Sequence, residues 1–306
     1  MDRHHTWGVK LTEGILYLLG RQPLKWHYTW AKGIAWLLES VLHYRTQVVD
    51  VNLARAFPEK KYAELKTIRK QFYRHMANTV VEMVWFGACR GEKGRERLRR
   101  SHLVEFTNPE ELNRMLSVSQ QALLMQTHAG NWELMGGIAQ YAYSTPLEVT
   151  PATFAVAHHG IASGLWTQVM AHNRIAPVSD CNFQGYVHTD SILRFAILHK
   201  GQRMCYALNS DQYPYMGNGS MNVRFMHQDT RSMTGAAAIA CKLDMAVAYL
   251  RFDVRPEGGY HLTVVPITDH AHESKPEDIM QRYYQLLEED LQAQPWNYLW
   301  THKRWK

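Results

Sequence analysis

From residue 102 onward, short apolar runs alternate with stretches whose apolar positions recur every three or four residues. Runs of the first kind at 122–127, 147–154, 203–208, 246–254 and 260–266 predict buried strands, rich in Val, Ile, Leu, Tyr and Phe. Segments 132–143, 160–173, 189–199 and 233–243 predict helices between them. Strand–helix alternation of this kind implies an α/β layered fold, with a central, mostly parallel or mixed sheet flanked by helices. Before residue 102 the pattern is helical throughout. Residues 60–86 read as one long helix or a helix pair. The simplest organisation is a helical N-terminal region, 1–100, followed by an α/β catalytic domain, 101–306. Neither an internal repeat nor a low-complexity linker interrupts it.

The helical region holds two apolar-aromatic pieces, 14–20 and 34–37, separated by Arg21, Lys25, Trp26, His27, Tyr28, Trp30 and Lys32. No run of about 18 apolar residues occurs, so a spanning helix is not expected. Helices apolar on one face, with Trp and basic residues at the edges, can lie in the interface plane of a membrane. They can equally form an amphipathic hairpin packed on the core. The first residues, Met-Asp-Arg-His-His-Thr-Trp-Gly, lead to no cleavable apolar core, which argues against a secretory signal.

Composition narrows the partners. Hydrophobic residues make up 46% and charged residues 20% of 306 positions, which suits a folded globular chain with a large core. Ten Trp and sixteen Tyr exceed what a bland soluble domain needs and suit equally a protein with one face toward lipid and one with an aromatic-rich core. The excess of 34 Lys+Arg over 28 Asp+Glu fits an anionic surface or an acidic carrier. The basic run 90–100, with six basic and two acidic residues, is a solvated face or a contact for such charges. No zinc finger, RNA-binding strand motif or basic coiled coil points to nucleic acid. Cys89, Cys181, Cys205 and Cys241 are scattered without Cys-x-x-Cys spacing, which fits a reducing compartment.

The chemistry concentrates in Gln126-Thr-His-Ala-Gly-Asn-Trp-Glu-Leu134. On a single helix, His128 and Glu133 would sit roughly 140° apart around the axis, too far to cooperate. The local sequence predicts otherwise. An apolar strand ends near Thr127, Ala-Gly-Asn makes a turn, and Asn131 caps a following helix. His128 then lies at the strand's C-terminal end, and Glu133 lies in the first helical turn. Chain reversal can bring them together, with Glu133 orienting the imidazole and His128 taking a proton from an attacking hydroxyl. Backbone N–H groups of the Gly130–Trp132 turn would help hold the oxyanion. The alternative is a His in the turn and a surface Glu, both incidental, since the spacing alone is common in a chain with 17 His.

This motif resembles the signature of the bacterial lipid A late acyltransferases (the lauroyl/myristoyl acyltransferase family), distant relatives of the glycerolphosphate acyltransferases. Other blocks carry the same resemblance: Val51-Asn-Leu-Ala-Arg-Ala-Phe-Pro-Glu59; Phe72-Tyr-Arg-His75 followed by Glu82; Ser210-Asp-Gln-Tyr-Pro214; and Phe225 through Thr230 and Gly235. The ending Trp296-Asn-Tyr-Leu-Trp-Thr-His-Lys-Arg-Trp305 resembles the family's Trp-Leu-Trp-x-His-Arg-Arg-Trp. Coverage runs from about residue 50 to the C-terminus. The resemblance implies a glycerolphosphate-acyltransferase-like fold and transfer of a fatty acyl chain from acyl carrier protein to a hydroxyl of a lipid A precursor. It makes His128 the general base, Glu133 its partner, and Asn131, Arg174, Asp211 and Gln212 substrate-binding residues. It also implies a place on the cytoplasmic face of a bacterial inner membrane, peripheral or monotopic. Departures are a Thr150–His159 segment in place of a Tyr-Arg-Pro-type one and a weaker N-terminal hydrophobic anchor. An acyltransferase for an aminolipid or glycolipid, or a non-catalytic lipid- or carrier-binding protein of the same fold, would share these features.

Other signals are weaker. Asp269-His-Ala-His-Glu273 has the residue types of a metal cluster but not the helical histidine pair of a zincin. Gly160-Ile-Ala-Ser-Gly164 is not a serine-hydrolase elbow, and Gly217-Asn-Gly219 lacks the third glycine of a nucleotide loop. Neither a metal nor a cofactor is expected. Trp296, Trp300 and Trp305 are expected to pack the C-terminus onto the domain, with some contact at a lipid interface.

Overall fold

A computed structural model describes residues 3–160, 163–214 and 219–305. The start of the expected 160–173 helix at Ile161–Ala162, and Gly217 and Asn218 of the Gly-Asn-Gly segment, lie outside the described residues. Five helices come first: α1 (Arg3–Gly20), α2 (Leu24–Trp36, continued by a π turn, Leu37–Val41), α3 (Thr46–Ala56), α4 (Tyr62–Gly87) and α5 (Gly91–Ser101). The long helix anticipated at 60–86 is α4. Glu64 accepts the Lys61 N–H at 2.9 Å and so caps it. Its inner face carries polar residues as well as Phe72, Trp85 and Phe86: His75, Thr79 and Glu82 are buried too. Polar groups survive such burial only when hydrogen-bonded: Thr79 donates to the His75 carbonyl at 3.2 Å, and His75 and Glu82 serve the site described below.

The α/β part follows as β1 (Val104–Phe106), α6 (Pro109–Val118), β2 (Gln121–Gln126), a 3-10 run (Trp132–Gln140), β3 (Phe154–His158), α7 (Gly164–Arg174), β4 (Tyr186–His188), α8 (Ile192–Leu198), β5 (Met204–Asn209), β6 (Ser220–Phe225), β7 (Gln228–Met233), α9 (Gly235–Leu243), β8 (Ala246–Val254), β9 (Tyr260–Thr268) and α10 (Pro276–Ala293). Seven strands form one sheet in the order β1-β9-β8-β2-β5-β3-β4. Neighbours run parallel except at β8–β9. Every residue of β2 is buried. Its period-2 alternation sends Leu123 and Met125 into the core with α3, α4 and α10, and Ala122 and Leu124 into a second core with α6 and the 3-10 run. The mostly parallel sheet with flanking helices is the architecture that the alternating pattern implied.

Two local expectations change, and a hairpin appears where the pattern indicated no element. Strand structure does not cover 147–153; it begins at Phe154, because Thr150 and Thr153 hydrogen-bond to each other around Pro151 and close a turn. The helix expected over 132–143 is a tighter 3-10 run ending at Gln140. Its glycine pair packs closely: a Cβ on Gly136 would meet the Arg174 carbonyl at 2.0 Å, and one on Gly137 the Tyr141 hydroxyl at 2.5 Å. The antiparallel β6–β7 hairpin turns through Met226 and His227, both at positive φ. Neither residue gives the Asn-Gly or Asp-Gly signal of such a turn.

The C-terminal block packs inward. Trp300 and Arg304 are fully buried, and Arg304 donates to Thr230 Oγ1 at 2.7 Å and to the Tyr284 hydroxyl at 2.8 Å. Asn52 donates to the Trp300 and His302 carbonyls at 2.8 and 2.9 Å, tying the 51–59 block to the chain end.

Candidate active site

The carboxyl ends of β2, β5, β3 and β4 share one edge of the sheet, where the chain leaves each strand in a loop. Crevices outside such strand ends are the usual ligand sites of open α/β sheets. Here the crevice is a cavity of about 940 Å³ whose walls include His128, Glu133, Arg174, Tyr186, Asn209, Gln212 and Ile239.

The turn that presents His128 is held from four directions. Thr127 Oγ1 accepts the Ala129 N–H at 3.1 Å. Gly130 adopts φ +62°, and a Cβ there would lie 2.4 Å from the Phe252 ring, so only glycine fits. Its N–H donates to Asn297 Oδ1 at 2.7 Å, and its carbonyl accepts from His75 Nε2 at 3.2 Å. The Gly130 N–H, expected to help an oxyanion, is therefore committed to the fold. Asn131 is fully buried and caps the 3-10 run by accepting the Glu133 N–H at 3.3 Å. Its amide donates to Glu82 Oε2 at 2.8 Å. Glu82 also accepts from the hydroxyls of Tyr28 (2.8 Å) and Tyr260 (2.6 Å). Burial raises the Glu82 pKa even though these three donors oppose the rise. Asn131 caps and anchors the turn and is not part of the cavity wall.

The partner of His128 differs from the expected one. Asp211, 1% exposed, lies two residues past the end of β5, and β5 runs parallel to β2, so the two strand ends place Asp211 beside His128. Its Oδ1 takes the His128 Nδ1–H at 2.7 Å, and its Oδ2 takes the His128 backbone N–H at 3.1 Å. Burial pushes the Asp211 carboxyl up, but the imidazole and the hydrogen bonds outweigh it, and the net shift is downward. Nε2 then faces the cavity as an acceptor, with the amide nitrogens of Gln212 at 3.1 Å and Asn209 at 3.3 Å.

Glu133 instead grips Arg174. The guanidinium meets both carboxylate oxygens, through Nε and through Nη2 at 2.7 Å, while Nη1 donates to the Tyr186 hydroxyl at 3.0 Å. Burial works against the Arg174 charge, yet the Glu133 carboxylate keeps its pKa above the ordinary value. Trp132 connects the two pairs. Its indole N–H donates to Glu133 at 3.0 Å, and its ring meets the His128 imidazole edge-on at 4.8 Å. The correction has a simple cause: once the chain turns at Gly130, Glu133 points toward the end of α7, where Arg174 sits. Of the six residues anticipated, His128, Glu133, Arg174 and Gln212 line the cavity, and Asp211 lies behind His128.

Among the described residues, two buried amide atoms of cavity-lining side chains have no hydrogen-bond partner, Gln126 Nε2 and Asn209 Oδ1. Sequence reasoning missed Gln126, although a polar residue ending a fully buried strand is a usable signal. The one cluster with metal-ligand spacing among the described residues is Asp244, His270 and His272, away from this cavity.

Fold and site together define an α/β enzyme that offers a carboxylate-bound histidine to a cavity with both polar and apolar walls. A sequence model of the bacterial lipid A biosynthesis acyltransferases matches residues 1–306, the whole chain. The protein belongs to that family and is an acyltransferase of lipid A biosynthesis. No curated protein matches the chain.

Proposed function

We propose that the protein moves a fatty acyl chain from an acyl carrier protein thioester to a hydroxyl of a lipid A precursor, with His128 as general base. The observation that carries this reading is the Asp211–His128 pair, which holds the proton on Nδ1 and leaves Nε2 in the cavity. The acceptor hydroxyl gives its proton to Nε2 as its oxygen attacks the thioester carbonyl. The C–S bond then breaks, and the imidazolium returns the proton to the departing thiolate. Asp211 stabilises the imidazolium between these steps. The Glu133–Arg174–Tyr186 set positions polar parts of the substrates. The acyl chain occupies the apolar end of the cavity, toward Ile192, Met233, Ala236 and Ile239.

The N-terminal helices supply the membrane contact in this reading. No helix among the described residues is long and apolar enough to cross a bilayer. Trp7, Leu11, Ile15 and Leu18 of α1 and Trp26, Trp30 and Trp36 of α2 are nevertheless more than half exposed. Such a surface lies in the interface rather than across it. α1 also packs on α7, the helix that ends in Arg174 of the cavity wall.

Purified protein supplied with acyl carrier protein thioester and a lipid A precursor tests the reading. Mass spectrometry should show one added acyl chain on the precursor. Transfer to an aminolipid or glycolipid with none to the precursor would replace the acceptor, and no transfer from the carrier thioester would replace the donor.

A further inference from the structure

The far end of the sheet holds a second arrangement with its own chemistry. Asp244 ends α9 in the left-handed region, at φ 53°, just before β8. Its carbonyl accepts from Ser119 Oγ at 3.0 Å, which fixes it to the start of β2. The turn after β9 returns to the same place. Ala271, fully buried, donates its N–H to the Met245 carbonyl at 3.1 Å and holds His270 and His272 on either side of Asp244.

The histidines converge on one carboxylate. His272 Nδ1 lies 2.5 Å from Asp244 Oδ1, and the His272 N–H reaches the same oxygen at 3.3 Å. His270 Nδ1 lies 3.5 Å from Oδ2. One ligand atom from each residue can be chosen so that all three lie within 4.8 Å of one another. Ligands about 2.0–2.2 Å from a tetrahedral zinc are separated by roughly 3.3–3.5 Å, so a small rotation of exposed side chains closes the set. Of the neighbouring carboxylates, Asp269 is held by Arg114 in a two-pronged pair at 2.8 and 2.9 Å.

We propose that Asp244, His270 and His272 bind a divalent transition metal, zinc by preference, with water completing the shell. Two imidazoles and a carboxylate suit zinc and its neighbours rather than magnesium or calcium, which take oxygen ligands. The side chains are 42–56% exposed, so an ion enters directly from solvent. The site joins the start of β8 to the turn that leads into α10. It lies at the opposite end of β2 from His128, and six residues of strand separate the two by about 20 Å. The metal therefore ties segments together and takes no part in transfer.

The test uses the full chain, prepared without a histidine tag and stripped with chelator, titrated with zinc chloride by calorimetry. One ion per chain is expected, with a rise in melting temperature. His272→Ala and Asp244→Asn should each weaken binding by roughly tenfold or more, since even outer partners of metal ligands are worth that much. Both variants should remain folded by circular dichroism and retain wild-type transfer. Cobalt substitution gives a second readout: the visible absorption of a nitrogen- and oxygen-ligated ion should vanish in the double variant. Equal zinc affinity in wild type and the double variant would overturn the proposal, as would a wild-type chain that takes up no zinc.

Discussion

Replacing Asp211 by Asn keeps the shape of the side chain and removes the feature on which the chemistry depends. The carboxylate accepts two hydrogen bonds from His128, at 2.7 Å from Nδ1–H and 3.1 Å from the backbone N–H, in a site 1% exposed. An amide has one accepting oxygen for these two donors. If the oxygen takes the backbone N–H, the amide N–H faces Nδ1 and drives the ring proton to Nε2, where it blocks the base. If the oxygen takes Nδ1–H, two N–H groups oppose each other in a buried site, at about 1–3 kcal/mol. Either way the imidazolium loses its counter-charge. Proton transfer by a positioned base is worth about 10²–10⁴ in rate, or roughly 3–5.5 kcal/mol of barrier, and the variant should lose a factor in that range. The assay is single-turnover acyl transfer followed over a series of pH values. The rate constant should fall with KM nearly unchanged, and the variant should keep a cooperative melt. A folded variant within about threefold of wild type, with the same pH profile, would refute this assignment of Asp211.

Three further outcomes follow from the same geometry. Glu133→Gln leaves the Arg174 guanidinium, whose side chain is 25% exposed, without its counter-charge. Stability should fall, by less than the roughly 3–5 kcal/mol of a fully buried pair, and KM should rise while the pH profile of the base stays in place; a shifted profile would return Glu133 to the role of histidine partner. Gly130→Ala forces a Cβ to 2.4 Å from Phe252 at φ +62°, so thermal denaturation should show a loss of roughly 2–5 kcal/mol, and a neutral result would mean the turn is not held as described. Burial lowers the His75 pKa from 6.5 to about 4. The unfolded chain then binds the extra proton first, so this contribution is full above pH 6.5 and is lost as the pH falls toward 4, about 3 kcal/mol in all. Denaturant titrations across that window should show the loss in wild type and a flatter curve in His75→Gln.

The sheet was legible because burial on both faces leaves long apolar strands, and β8 begins and ends where its apolar run does, at Ala246 and Val254. The short edge strands β1 and β4, of three residues each, leave too few positions for a period to show. His128 was legible from its setting between an apolar strand and a small-residue turn. Its partner was not. Asp211 lies 83 positions away in the chain, and what brings it close is the pairing of β2 with β5, a tertiary fact that no local spacing carries. The nearer acid, Glu133, was the natural choice from sequence until Arg174, at the far end of α7, proved to hold it. The Asp244–His270–His272 cluster had the same character: His270 and His272 were visible in the 269–273 segment, while Asp244 joins them only through the start of β8.

The most direct test of the central claim is transfer by His128→Gln, a variant that keeps a polar side chain in the turn but cannot act as a base. With labelled acyl carrier protein thioester and lipid A precursor, the account predicts a fall of about 10²–10⁴ in rate. Melting temperature and carrier binding should stay close to wild type. Full activity in the folded variant would show that the proton leaves by another route, and His128 would cease to be the catalytic base.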